Sequence, residues 1–498
     1  MKIDQIKLSP GESTSILPLK IRKKTGHKVR NWRIVRESID ARDKRNIKLV
    51  YSVEYNYDPK EEKILDIPKV SLSDAGSPVV IGFGPCGIFC GLVLARAGLK
   101  PLILERGMDV DRRTEQVELF WKEGKLDPES NVQFGEGGAG AFSDGKLTTG
   151  IKDPRVHFVL SELASHGGPS DILYKAKPHI GTDILKEVVK NIREEIISLG
   201  GQVIFGAKAE AFVVEDRKIR GVEFFADGKE QVAETSNVVL AIGHSSRDTF
   251  KWLRDMGVSM TQKQFSMGVR AEHPQDLIDI AQYGRPGREL GLPPADYKLS
   301  VRTEEGRGVY TFCMCPGGQV IVASSEEGMV VTNGMSYHAR NSGFANSAVL
   351  VDVRPEDFGT DDVLGGVYLQ QKYEKLAYEV SGGYRAPQAS WKEIKEDKAE
   401  NIRKCLPDFV YSSLKEAMPL FGRKIKGFDG DDTQIYAIES RSSSPVRISR
   451  NEDLMGCVDG ETLKGFFPAG EGAGYAGGIV SAAVDGIRAA LKIIEIYE

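Results

Sequence analysis

The chain has 498 residues, 28% charged and 41% apolar, with a formal net charge of −4. That length exceeds a single hydrophobic core, so two or three domains are expected, with the balance of a soluble globular protein. Six cysteines in so long a chain form no disulfide framework, which points to a reducing, cytoplasmic setting. The opening MKIDQIKL has no apolar core, so no signal peptide is expected. The longest uncharged run, Pro78–Ala95, is broken by four glycines and Pro85 and reads as strand, turn and helix, so no membrane partner is expected.

In chain order, residues 1–72 read as a small α+β unit. Lys2–Lys7 is a weak strand and Ser13–Lys24 a short helix; alternation at Ile47, Leu49, Tyr51, Val53, Tyr55 and Tyr57 gives a half-buried strand. Residues 20–48 hold twelve Lys or Arg against three acids, a local net charge of +9 on a chain that is otherwise acidic. Such a segment either grips nucleic acid or another acidic partner, or is a solvated face or a basic domain docked on the acidic remainder, and docking is the favoured reading. Val70–Pro78 is a linker.

Strands and helices then alternate. Val79-Val80-Ile81 is a strand, and a second, Pro101–Leu104, closes on Glu105. Thr182–Leu199 is an amphipathic helix, followed by the strand Val203–Phe205, a meander turning at Asp227-Gly228, and the buried strand Val238–Ile242. From 263 to 454 the texture changes. Val309–Cys315 and Gln319–Ala323 read as a hairpin about Pro316-Gly317-Gly318, and Val363–Val380 and Lys392–Met418 as two helices. The end returns to a strand, a glycine cluster and a helix beginning at Ile479.

The turn Gly82-Phe83-Gly84-Pro85-Cys86-Gly87 sits between a strand and a helix, with an acid, Glu105, ending the next strand. Gly82 permits the tight turn, Gly84 lets backbone approach a pyrophosphate, and Gly87 lets helix and strand pack closely. The helix N-terminus supplies N–H groups for the phosphates, and Glu105 accepts from the adenosine ribose. Whether the dinucleotide is NAD or FAD is decided at the C-terminus. FAD needs a distant second site, and Gly470-Glu471 followed by Gly477-Gly478-Ile479 offers one: Glu471 for the ribityl hydroxyls, the glycine amides for the flavin.

These motifs, with Glu105-Arg106-Gly107, Ala241-Ile242-Gly243 and Pro468-Ala469-Gly470-Glu471, resemble the glutathione-reductase-like FAD oxidoreductases. Within them the chain resembles the bacterial FAD-dependent dehydrogenases called NAD(FAD)-utilising dehydrogenases, through Gly135–Leu147, Phe312–Gly318, Glu439–Arg447 and Ser38–Arg42 as well. The resemblance spans nearly the whole chain and implies non-covalent FAD. It implies that Gly137, Gly138, Ala139, Ser143, Asp144 and Gly145 run along the cofactor, that Ala209 meets adenine through its backbone, and that Arg106, Ala241 and Gly243 border it. Cys86 contacts the cofactor only through its backbone.

The chemistry is less sharply marked. No second strand-GxGxxG-helix is visible for NADPH, so NAD(P)H is at most a transient electron donor. The redox cysteine pair of glutathione reductase has no counterpart, since no cysteine lies between 91 and 312. Cys313 and Cys315, spaced i and i+2 on a strand, share a face roughly 6.6 Å apart and are either packed small residues or a strained reducible pair. Lys146 stands in the glycine loop as a further candidate. Arg441 and Arg447 are spaced to clamp a carboxylate or phosphate; the alternative is internal ion pairing with Glu439 and nearby acids. His157, His166, His179, His244, His273 and His338 form no metal-spaced cluster with cysteines, and His244 borders the FAD site.

The expected architecture is α/β: a three-segment FAD-binding Rossmann-like domain (76–262 and 455–498), an inserted mixed β/α substrate domain (263–454), and the small N-terminal α+β domain. The expected activity is an FAD-dependent oxidoreductase passing hydride or electrons through flavin N5 to or from a small, anionic molecule. The alternatives are an FAD-dependent RNA-modifying enzyme using the basic unit, or a non-catalytic flavin sensor or scaffold.

Overall fold

The computed structural model describes residues 1–58, 65–71 and 76–498. The linker expected at Val70–Pro78 lies partly outside the described residues. Five short strands form a parallel sheet in the order Phe466–Pro468, Val238–Leu240, Val79–Ile81, Leu102–Glu105, Gln202–Phe205. The inner strands are continuous runs of Val, Ile and Leu because both sheet faces are covered.

On one face the helices Pro85–Ala97 and Ile479–Tyr497 pack against each other and the sheet. Their approach is close: a Cβ on Gly486 would sit 2.1 Å from the Cys86 carbonyl oxygen. On the other face lies the antiparallel meander Lys208–Glu215, Lys218–Ala226, Lys229–Glu234.

A six-stranded antiparallel sheet forms the second layer. Its order is Ser300–Arg302, Gly308–Pro316, Phe344–Val353, Phe265–Pro274, Gln434–Glu439, Gln388–Ser390. The helix Asp408–Lys424 shares its apolar core. The separate pair Gln319–Ala323 and Val331–Met335 lies beside it. This departs from the expected hairpin: Gly308–Pro316 pairs with Ser300–Arg302 and Phe344–Val353, and not with Gln319–Ala323. Gly317, at φ +54° with a would-be Cβ inside the Arg340 carbonyl, turns the chain out of one sheet into the next.

The expected helix Lys392–Met418 is three helices, Trp391–Lys395, Glu400–Lys404 and Asp408–Lys424. Asp397 at φ +54° ends the first, and Pro407, which tolerates only the start of a helix, sets the third.

The N-terminal unit is a sheet of Lys2–Leu8, Lys48–Tyr55 and Trp32–Asp40 with the helix Leu17–Thr25 on one face. It joins the rest through backbone, with Glu37 N–H donating to Tyr174 O and Ala176 N–H to Glu37 O, both at 2.8 Å, through Lys44, which donates to Ala281 O at 2.7 Å, and through Ile47 in the core of the six-stranded sheet. Most of its cations are exposed. Among the described residues its ion pairs include Lys2 with Asp4, Lys7 and Arg42 with Asp40, Lys20 with Glu12, Arg33 with Glu54 and Arg45 with Asp43.

Candidate functional site

A cavity of about 360 Å³ lies at the carboxyl ends of the parallel strands, walled on its far side by the six-stranded sheet and its neighbouring pair. In open α/β sheets this is where ligands bind. One end is formed by Glu105, Ala207, Ala209 and Thr249; the other reaches Lys146, Cys313, Asn333, Glu439 and the first turn of the helix Ile479–Tyr497.

The glycine turn is built as its spacing requires. Gly82 has φ +98° and a would-be Cβ 2.5 Å from Ala241 O; a Cβ on Gly87 would lie 1.9 Å from Gly82 O. Neither position can carry a side chain. Gly84 differs: its φ is −79°, and its would-be Cβ points across ordinary space at Gly138 Cα, 3.6 Å away. The loops 82–87 and 135–140 therefore face one another, glycine to glycine, across the cavity wall.

Glu105 ties these loops together. Its carboxylate accepts from the N–H groups of Phe83 (2.7 Å), Gly107 (2.9 Å) and Gly135 (2.9 Å), leaving acceptor capacity for a hydroxyl in the cavity. Arg106 reaches the wall but is engaged by Glu129 and Asp248 and stacks on Phe134. Arg113, fully buried, fixes the following loop by donating to the carbonyls of Asn131, Val132, Gly135 and Glu136.

Of the other residues singled out in the sequence, Gly82, Gly84, Pro85, Cys86, Gly138, Ala139, Ser143, Asp144, Gly145, Ala209, Ala241, Gly243, Glu471, Gly477, Gly478 and Ile479 line the cavity. His244 does so too, with Nε2 2.8 Å from Arg441 O. Gly87, Gly137 and Gly470 stand behind the wall. Gly137 N–H donates to Phe83 O, and Gly470 N–H to Asp485.

The expected arginine clamp does not form. Arg441 is buried, donating to Glu374 (2.8 Å) and Ser325 (2.6 Å), while Arg447 points away to Gly474 O at 3.1 Å. Nor is Glu439 the partner of Arg441, for Arg270 holds it with two 3.0 Å hydrogen bonds. Glu374, fully buried on the helix Gly365–Ser381, collects Arg247, Arg441 and the Ser440 hydroxyl at once. Burial alone would raise its carboxyl, but the two guanidinium groups hold it far below the carboxylate range. Arg441 still borders the cavity with its charge already matched.

The cysteine spacing also differs from expectation. The register of Gly308–Pro316 against Phe344–Val353 shifts between Phe312 and Cys315, with Cys313 at φ +43°, so the strand bulges there. Cys313 faces the cavity and Cys315 is buried behind it, its Sγ donating to Cys313 O at 3.2 Å. Lys146 donates to the Met314 carbonyl and pairs with Asp144 at 2.9 Å. Burial would lower Lys146, but the Cys315, Cys313 and Asp144 groups hold it above its ordinary range.

Among the described residues one cluster, Glu162, His166 and Glu195, brings donor atoms within metal-binding reach, and Arg96 fills it with 2.6 Å hydrogen bonds to both carboxylates. No helix among the described residues is long and apolar enough to cross a membrane.

The cavity fits a dinucleotide. Two helix N-termini open on it, glycines line its narrow part, and would-be Cβ atoms on Gly477 and Gly478 meet only open space. On the same wall the buried Ser245 hydroxyl has no hydrogen-bond partner, as a group awaiting a ligand does.

Residues 264–442 match the family model described as "FAD-dependent protein, C-terminal domain-like", and residues 1–56 match "Domain of unknown function (DUF8436)". The protein is an FAD-binding flavoprotein of mixed α/β, Rossmann-type fold. The chain belongs to the family of an "Uncharacterized protein" of Clostridium beijerinckii (strain ATCC 51743 / NCIMB 8052), which is 47% identical over 538 aligned residues covering 100% of this chain and 99% of that protein. Among solved structures it is similar to a triple mutant of the flavin-dependent brominase Bmp2, with a TM-score of 0.42 and 14% identity over 84% of this chain and 80% of that one. It is also similar to a geranylgeranyl bacteriochlorophyll reductase-like protein of Thermoplasma acidophilum (TM-score 0.36, 14% identity, 84% and 78% covered). A third is the glycerol-3-phosphate dehydrogenase of Bacillus halodurans complexed with FAD (TM-score 0.37, 12% identity, 85% and 66% covered).

Proposed function

We propose that the protein is an FAD-dependent oxidoreductase of the dehydrogenase type, acting on a small molecule that enters beside Lys146, Asn333 and Arg441. The carrying observation is that one cavity joins the glycine turn at Gly84 to the first turn of Ile479–Tyr497 and ends on a wall of titratable side chains. Bound FAD supplies the redox chemistry there. In this reading Gly84 and the N-terminus of Pro85–Ala97 hold the pyrophosphate, Glu105 the adenosine ribose, Ala209 and Ser245 the adenine end. Glu471 orients the ribityl chain, and the backbone N–H groups at Gly478 and Ile479 favour negative charge at the flavin.

At the substrate end, among the described residues, Lys146 is the wall cation best placed for a substrate anion: it pairs with Asp144 but its side chain is 32% exposed, whereas Arg441, held by Glu374, is 6% exposed. An anionic substrate therefore depends on Lys146 in place of the expected arginine pair. NAD(P)H fits as a transient donor. A role for the exposed basic N-terminal unit in holding RNA is the weaker reading.

The test is anaerobic reduction of the purified yellow holoprotein by a panel of small metabolites and by NADH and NADPH. Saturable bleaching of the flavin by one of them supports the reading. A chain that binds no FAD overturns it outright, and a flavin that no donor in the panel reduces although dithionite does overturns it in favour of a flavin sensor or scaffold.

A further inference from the structure

Cys313 is unlike Cys86, Cys90 and Cys405 in its surroundings. Burial pushes Cys86 and Cys90 far above the ordinary thiol range and Cys405 up to about 12. Cys313 shifts downward. The adjacent Cys315 side chain, with the Lys146 and Arg270 charges, favours its thiolate and outweighs the cost of burial. The two thiols titrate as a pair, one proton lost early and the other held by Cys315.

The geometry that brings them together is specific. On a regular strand the two residues would stand apart along one face; the bulge and the left-handed Cys313 break that spacing, and Cys315 Sγ lies 3.2 Å from Cys313 O. Arg270, fully buried, donates to Cys313 O at 3.3 Å while its other arms hold Asn346 (2.7 Å) and Glu439. Space for Cys315 comes from a glycine: a Cβ on Gly334 would lie 2.8 Å from Cys315 Sγ and still closer to Arg270 Nη1. Other charged groups at the dyad are Asp144, held by Lys146 and Arg340, and Glu439, held by Arg270. A shared loop connects the dyad to the cofactor end of the cavity. Gly140 abuts Ile479, with a would-be Cβ 3.3 Å from its Cγ1, and six residues on Lys146 contacts the Met314 carbonyl between the cysteines.

We propose that Cys313 and Cys315 form a redox-active dithiol that exchanges two electrons with FAD bound in the same cavity, an inference that rests on the oxidoreductase reading above. In one direction the Cys313 thiolate sulfur bonds to the Cys315 sulfur and the Cys315 S–H bond breaks. The electron pair, that proton and one proton from solvent pass to the oxidised flavin, so one disulfide forms for each flavin reduced. The reverse opens the disulfide. Lys146 and Arg270 are positioning residues that hold the thiolate and its backbone; Cys315, behind the wall, is the partner sulfur.

The test uses the full-length holoprotein and counts electrons and thiols, without a turnover assay. Oxidised protein, titrated anaerobically with dithionite, takes up four electrons per flavin; Cys313→Ser and Cys315→Ser each take up two. In denaturant the reduced chain shows all six thiols. After oxidation it shows four, and the peptide spanning 313–315 loses two mass units. That last measurement needs no variant, so a misfolded serine mutant leaves the test intact. Two electrons and six thiols, with the flavin normally reduced, overturn the dithiol while leaving the oxidoreductase reading standing. A disulfide mapped to other cysteines overturns it too. Absence of bound flavin overturns the reading on which it rests.

Discussion

The two glycines of the opening turn should fail differently when substituted. Gly87→Ala places a methyl 1.9 Å from one backbone oxygen and 3.0 Å from its carbon, and backbone cannot yield as a flexible side chain does. Overpacking of this kind costs about 1–3 kcal/mol or more, and it strikes the apoprotein. Gly84→Val meets Gly138 at ordinary contact, 3.6 Å, with a φ of −79° that any residue adopts. Its cost to the apoprotein is that of a poor helix N-cap, about 1 kcal/mol or less. Its valine carbons, however, enter the slot between the facing glycine loops, where the proposed reading places the pyrophosphate. Loss of one charge-assisted hydrogen bond from the helix N-terminus costs about 1.5–3 kcal/mol, roughly ten- to a hundredfold in Kd. The assay pairs urea unfolding of the apoproteins with quenching of added FAD fluorescence. Gly84→Val should unfold near the wild-type midpoint and bind FAD at least tenfold more weakly; Gly87→Ala should unfold early. Native FAD affinity in Gly84→Val, or a collapse of its apoprotein stability, would refute the placement of the pyrophosphate.

Glu374→Ala leaves Arg247 and Arg441 sharing the single remaining anion Glu326, and breaking such a buried group costs about 3–5 kcal/mol; a urea midpoint shifted by less than the equivalent of 1 kcal/mol would count against the network. Glu105→Ala strands three buried N–H donors, so the apoprotein should lose about 3 kcal/mol or more even before FAD is added, measured by the same denaturation. His179, lowered to about 4 by burial and by the nearby Arg340, stays neutral in the fold, whereas the unfolded chain takes up a proton near pH 6.5. Its contribution is complete above that pH and is lost as pH falls from about 6.5 towards 4. His179→Gln should flatten the fall in urea midpoint over that window; an unchanged slope would assign the acid sensitivity elsewhere.

The dinucleotide turn was legible because its glycines answer to backbone geometry, which spacing reveals directly: φ at Gly82 and clearance at Gly87 leave no other residue. Gly477 and Gly478 line the same cavity as the sequence suggested, but would-be Cβ atoms there meet only open space, so no backbone constraint singles them out. The partners of the arginines were hidden. Glu374 lies 67 residues before Arg441 on a helix whose pattern reads like many surface helices, and nothing local distinguishes it from an exposed glutamate. Arg270 falls on a strand of alternating Gly, Ala and Val, where a lone cation gives no hint that it joins Glu439, Asn346 and Cys313 O. The bulge at Cys313 was invisible because it depends on pairing with Phe344–Val353, a strand with no local signal of its register. The N-terminal strand Trp32–Asp40 was missed because its charges mask the alternation.

The strand order of the parallel sheet has a consequence for biosynthesis. Val238–Leu240 is flanked by Val79–Ile81 and by Phe466–Pro468, and residues 241–465 separate it from the second neighbour. At ribosomal rates of about 5–20 residues per second, that interval lasts roughly 10–45 s. Throughout it the nascent sheet exposes an apolar, unpaired edge of the kind that chaperones shield. Glu471 and the amides at Gly477–Ile479 emerge later still, so on the proposed reading a growing chain carries the adenosine half of the cleft without the flavin half. Cofactor loading is therefore one of the last events in the making of this protein, and any premature stop before residue 466 yields a chain that is both colourless and prone to aggregate.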